Sequence, residues 1–117
     1  LVQNSTEPIA AMSSELNKRL EAMLAAGNET SLLRFTLGKS YVESEAFETA
    51  RTHLERAVAL DPQYSVAWKF LGKACMGLDD HVGARDAWTK GLACAQEKGD
   101  SQVVKELTVF LRRLDKA

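Results

Sequence analysis

The residues able to do chemistry are few, and their spacing supports none of the common catalytic arrangements. Gly38-Lys39-Ser40 imitates the end of a phosphate-binding loop, but that loop needs another glycine five residues before Gly38, and Leu33 stands there. His53 and His81 have no cysteine or carboxylate cluster at metal-ligand spacing, so both read as surface histidines and neither a metal nor a cofactor is expected. Cys75 and Cys94 sit on apolar helical faces without a neighbouring histidine, and read as buried thiols rather than nucleophiles. The paired acids Glu43 and Glu45, and Asp79 and Asp80, fall at turns, where helix capping explains them more simply than acid–base catalysis. Trp68, Trp88 and the phenylalanines recur at helical spacing, as core residues do. No catalytic constellation emerges, and a non-enzymatic role is expected.

The elements that must position these residues are helical. The chain has 117 residues, 45% hydrophobic and 26% charged, which fits a single globular domain spanning 1–117. A formal net charge of −1 leaves no basic excess to meet phosphates, so nucleic acid is not an expected partner. No apolar run approaches the ~20 residues that cross a bilayer, and no membrane association is expected. Residues 1–5 read as a frayed tail, with no basic region and apolar block of a secretory signal. Two cysteines make no disulfide framework, which points to a reducing cytoplasm. The triplets Asn4-Ser5-Thr6 and Asn28-Glu29-Thr30 fit glycosylation acceptors, but nothing else points to secretion.

Along the chain, Thr6-Glu7-Pro8 opens a first helix to about residue 26, with Leu16, Leu20 and Met23 expected against the next unit and Gly27 closing it. Helices follow at 31–44, 46–60, 65–76, 81–97 and 101–116. Ser65 is expected to cap the fourth and Asp79 or Asp80 the fifth, while Asp61-Pro62 ends the third. The last helix carries Val103, Leu107, Phe110 and Leu114 on one face and mostly charged residues, Glu106 and Arg113 among them, on the other, as an end cap requires.

Leu37-Gly38-Lys39 returns as Leu71-Gly72-Lys73, and Ser31, Ala50, Arg51 and Ala59 recur as Ser65, Ala84, Arg85 and Ala93, all at an offset of 34 residues. A fixed period of this size means one copied and stacked supersecondary unit. With Trp68-x2-Leu71-Gly72, Ala84-x3-Trp88 and Leu37-Gly38-x2-Tyr41, the chain resembles the tetratricopeptide repeat family over residues 31–96. Departures are Arg34 in place of the tryptophan, Cys75 in place of the aromatic at Tyr41, Gly91 where Ala57 stands and Gln96 where Pro62 stands. The resemblance implies an all-α fold: antiparallel helix-turn-helix repeats in a short right-handed solenoid of about six helices. A packing helix at 6–26, repeats at 31–64 and 65–97 and a capping helix at 100–116 together read as a complete unit.

In that family the first helices of successive units line a concave groove that takes a peptide or a partner helix. By helical phase the lining here is Leu32, Phe35, Lys39, Val42 and Glu43, then Val66, Lys69, Lys73 and Met76. The expected partner is a protein segment with apolar and acidic residues. Phe35 and Phe70 stand where the family's carboxylate clamp needs polar residues, which argues against binding of acidic chain ends. The alternative is a structural protein whose groove or end faces are filled by its own terminal helix or a second copy, so that the chain is a monomer or a weak homodimer.

Overall fold

A computed structural model describes the backbone of residues 7–116 and the side chains of residues 14–116. The Thr6 cap, the tail at 1–5 and the side chains of Ile9 and Met12 lie outside those limits. Six helices make up the described chain: α1 (Glu7–Ala25), α2 (Ser31–Glu43), α3 (Phe47–Leu60), α4 (Ser65–Gly77), α5 (His81–Lys98) and α6 (Ser101–Lys116). Among the described residues there is no strand, and no helix is long and apolar enough to cross a membrane.

The breaks between helices have local causes. Thr30 accepts the Leu33 amide at 3.1 Å to start α2, and Asp80 accepts the Gly83 amide at 2.9 Å to start α5. Gly99 takes a left-handed φ of 75° to close α5, a conformation that costs glycine little. The turn inside each unit repeats at the backbone level. Glu45 and Asp79, 34 positions apart, both adopt positive φ (62° and 58°). In each case the next amide reaches back to the last turn, Ala46 to the Tyr41 carbonyl and Asp80 to the Cys75 carbonyl, both at 2.8 Å. Satisfying those carbonyls offsets the ~1–2 kcal/mol that a left-handed non-glycine residue costs.

Packing forms two rows. Helices α2, α4 and α6 stand side by side, while α3 packs on α2 and α4, and α5 on α4 and α6. The repeated glycines mark the closest approaches. A Cβ on Gly38 would collide with Leu54, and one on Gly72 with the Trp88 indole. Ala50 and Ala84, fully buried, let the same helix pairs close elsewhere. The departures from the repeat have partners too. Arg34, in place of a tryptophan, bonds Glu29 and His53. Gly91 is small because Trp68 and Leu107 both press on it.

Four expectations are corrected. Of the paired acids expected to cap helices only Asp80 does so, since α3 begins after Ala46 with no side-chain cap. Ser65 is the first helical residue and is buried. Tyr64 precedes it without a side-chain cap, and the entry to α4 is held instead by the Pro62 carbonyl, which accepts the Trp68 indole at 2.8 Å and the Cys94 thiol at 3.2 Å. Leu16 and Met23 stay 45% and 46% exposed, because α1 is rotated to bring Glu21 inward to Tyr41 (2.9 Å). His53 is buried, as described below.

Candidate functional site

The row of α2, α4 and α6 gathers aromatic and cationic side chains at one place. Phe35 and Phe70 meet edge to face with centroids 5.7 Å apart, and Tyr64 lies 5.0 Å from Phe35. Three ammonium groups close on Phe70: Lys39, Lys69 and Lys73, at 5.9, 5.2 and 4.9 Å from its centroid. All lie within the ~6 Å over which a ring attracts a cation. Register explains the meeting. Lys69 and Lys73 are one turn apart on α4 with Phe70 between them, and Lys39 arrives from α2, which packs on α4.

The balance of charge is uneven. Lys69 pairs with Glu106 of α6 at 2.9 Å, while Lys39 and Lys73 form no ion pair among the described residues. Burial, with Lys69 beside it, holds the Lys73 ammonium below the usual lysine range, against the pull of Glu106 and Glu43. A further carboxylate arriving here would stabilise the charged amine.

Of the other sequence-predicted residues, Val42, Val66 and Met76 are half-buried against the core. Glu43 is exposed at the end of α2, and Leu32, 63% exposed, joins none of these aromatic or ionic contacts. Phe70, the centre of the cluster, was not among the expected lining residues, and neither was Glu106. The expected division of α6 into an apolar and a charged face is corrected here: Glu106, Phe110 and Arg113 follow one another at steps of four and three and share one side of the helix, with Phe110 and Arg113 bordering the same pocket.

Next to Lys73 the surface deepens into a pocket of about 310 Å³ between α4, α5 and α6. Met76, Trp88, Phe110 and Leu114 give it an apolar lining, and Lys73, His81 and Arg113 add basic groups. Trp88 and Phe110 pack with centroids 5.1 Å apart. The Lys73 amine lies 5.6 Å from the Phe110 centroid as well as 4.9 Å from that of Phe70, so it stands between pocket and cluster.

A second gathering of polar groups surrounds His53, which is 6% exposed. The Arg34 Nη1 atom lies 3.0 Å from His53 Nδ1. A guanidinium can only donate, so Nδ1 accepts and the ring proton sits on Nε2, 3.4 Å from a Glu21 oxygen. Tyr41 stacks on the imidazole at 5.6 Å and donates its hydroxyl to Glu21. Nearby, Arg56 and Arg34 clasp Glu29 and hold its carboxyl down at about 2. Every member has a partner, and the group ties α1, α2 and α3 together. Its role is architectural. Among the described residues no three His, Cys, Asp or Glu side chains gather as a metal site would require.

No family model matches the chain. It is 54% identical over 98 residues to a TPR repeat-containing protein of Pseudomonas aeruginosa, covering 84% of this chain and 93% of that protein. A heat-shock protein cognate co-chaperone of Aspergillus fumigatus is 32% identical over 78 residues, 67% of this chain but only 23% of that longer protein. The solution structure of a Bordetella parapertussis protein matches with a TM-score of 0.74 at 61% identity, covering 86% of this chain and 87% of that one.

Proposed function

The chain belongs to the tetratricopeptide repeat family, and on that premise we propose that it is a non-enzymatic interaction module whose groove along α2 and α4 takes an apolar, carboxylate-bearing segment of a partner protein. One observation carries this reading: Lys39, Lys69 and Lys73 converge on Phe70 over an aromatic floor, with a single ion-pair partner, Glu106, among the described residues. The floor supplies affinity by losing water, and the lysines supply orientation and encounter rate. One relative is named a heat-shock protein cognate co-chaperone, which favours a protein as the partner class.

The placement of α6 favours an open groove over a self-filled one. It lies beside α4, and among the described residues it does not approach α2. A second reading, self-association through an end face, draws on Leu16 and Met23, nearly half exposed on α1. Sedimentation at several concentrations separates the two, since a strict monomer removes the dimer.

A pull-down from the native host comparing the wild type with Lys39→Glu/Lys73→Glu tests the groove. Loss of the captured proteins is expected. An unchanged set contradicts the reading.

A further inference from the structure

We propose that the pocket between α4, α5 and α6 is the specificity pocket of this groove, taking one bulky apolar side chain of the bound segment while Lys73 and Arg113 hold an aspartate or glutamate beside it; the proposal rests on the groove reading above.

Size comes first. At about 310 Å³ the pocket is at the low end of the ~300–1,000 Å³ range of ligand clefts, room for a side chain rather than for a helix. The lining comes next. The Trp88 indole N–H is already spent on the Lys69 carbonyl at 3.0 Å, so the tryptophan offers the pocket only its ring. Met76 adds a side chain that adapts to shape. An apolar group therefore fits the wall of Met76, Trp88, Phe110 and Leu114 better than a polar one, which finds partners only at Lys73, His81 and Arg113.

Charge fixes what flanks it. Lys73 and Arg113 border the pocket and form no ion pair among the described residues, and Asp115, close to Arg113 in sequence, is held by Arg85 at 2.7 Å. Lys73 also belongs to the Phe70 cluster, which makes pocket and groove one continuous site. Anchors seated in well-packed, desolvated pockets carry most of the binding energy of many interfaces.

Nitrogen-resolved NMR titration tests the pocket with three acetylated, amidated peptides. The first carries a phenylalanine followed by two glutamates. One control replaces the phenylalanine by alanine, the other the glutamates by glutamines. The first peptide is expected to shift the Trp88 indole, the Met76 and Arg113 amides and, along the groove, the Phe35 and Lys39 amides, and to leave the Trp68 indole, bonded to Pro62, unmoved. The alanine control should bind about tenfold more weakly, as loss of a buried aromatic side chain implies. The glutamine control should bind about threefold more weakly. Leu114→Trp, which fills the pocket, should remove the Trp88 shifts and spare those at Phe35 and Lys39. Arg113→Glu, an exposed change that leaves the core alone, should weaken the glutamate peptide and not the glutamine one. Shifts confined to Phe35 and Lys39, or equal affinity for the alanine control, overturn the pocket and leave the groove standing. No shift anywhere at millimolar peptide overturns both.

Discussion

Glu106 on α6 stands 2.9 Å from Lys69 on α4, so the lysine cluster already holds one carboxylate supplied by the chain itself. The hydrogen bond from Lys69 holds the Glu106 carboxyl below its usual range, against the opposing effect of burial. The contact does two things. It fastens the last helix to the second repeat, and it shows the geometry in which this surface receives an acid.

Replacing Glu106 by glutamine separates those two effects. Stability should fall by less than ~1 kcal/mol, the size of a partly exposed ion pair, as read from urea unfolding. Affinity for an acid-bearing segment should rise by roughly twofold to fivefold, because Lys69 is released to the partner and a competing negative charge is gone. Weaker binding in calorimetry would mean that Glu106 is itself a partner contact.

Gly72 and Gly38 occupy the same repeat position yet should respond differently to alanine. At Gly72 the new methyl meets the Trp88 indole, which is buried and anchored to the Lys69 carbonyl. At Gly38 it meets the Leu54 side chain, which is fully buried too but is held by packing alone, with no hydrogen bond to fix it. Overpacking costs ~1–3 kcal/mol, and alanine's better helix propensity returns up to ~1 kcal/mol. Gly72→Ala should therefore destabilise clearly, and Gly38→Ala less. Denaturant midpoints check the order, and equal losses would contradict it.

His53 predicts a pH dependence of definite sign. Burial, chiefly, and the Arg34 guanidinium hold its folded-state value below the ordinary imidazole value of 6.5, although Glu21 pulls it upward. The unfolded chain therefore takes the proton first as pH falls. The stability that the neutral ring contributes is fully present above about pH 6.5 and declines below it, until the folded state is protonated as well. The slope is bounded by ~1.4 kcal/mol per pH unit for one proton. Chemical denaturation between pH 7.5 and 5 should show this decline, and His53→Gln should flatten it. A wild-type curve flat across that range would contradict the assignment.

The fold was legible because copied residues repeat: Leu37-Gly38-Lys39 and Leu71-Gly72-Lys73 fix both the unit and its period. What stayed hidden depends on contacts between units. The matching left-handed turns at Glu45 and Asp79 are a property of backbone shape that two different acids satisfy equally well. The burial of His53 needs Glu21, Arg34 and Tyr41, which come from two other helices and leave no local pattern. The same Glu21 turns α1 so that Leu16 and Met23 face outward more than an apolar stripe suggests. Of the candidate site, the lysines were readable from helical phase. Phe70 was legible only as a departure from the family's clamp, because it is a buried core residue, and Glu106 stood among the charged residues of an end cap.

Photocrosslinking in the native host, from a reactive group placed at Leu32, the exposed start of α2, reports whether an open groove takes an acid-bearing apolar segment of another protein. Crosslinks are expected to a discrete segment of a partner that combines apolar and acidic residues, and to be lost in Lys39→Glu/Lys73→Glu. Crosslinks to a second copy of this chain alone, or partner crosslinks indifferent to the charge reversal, would contradict it.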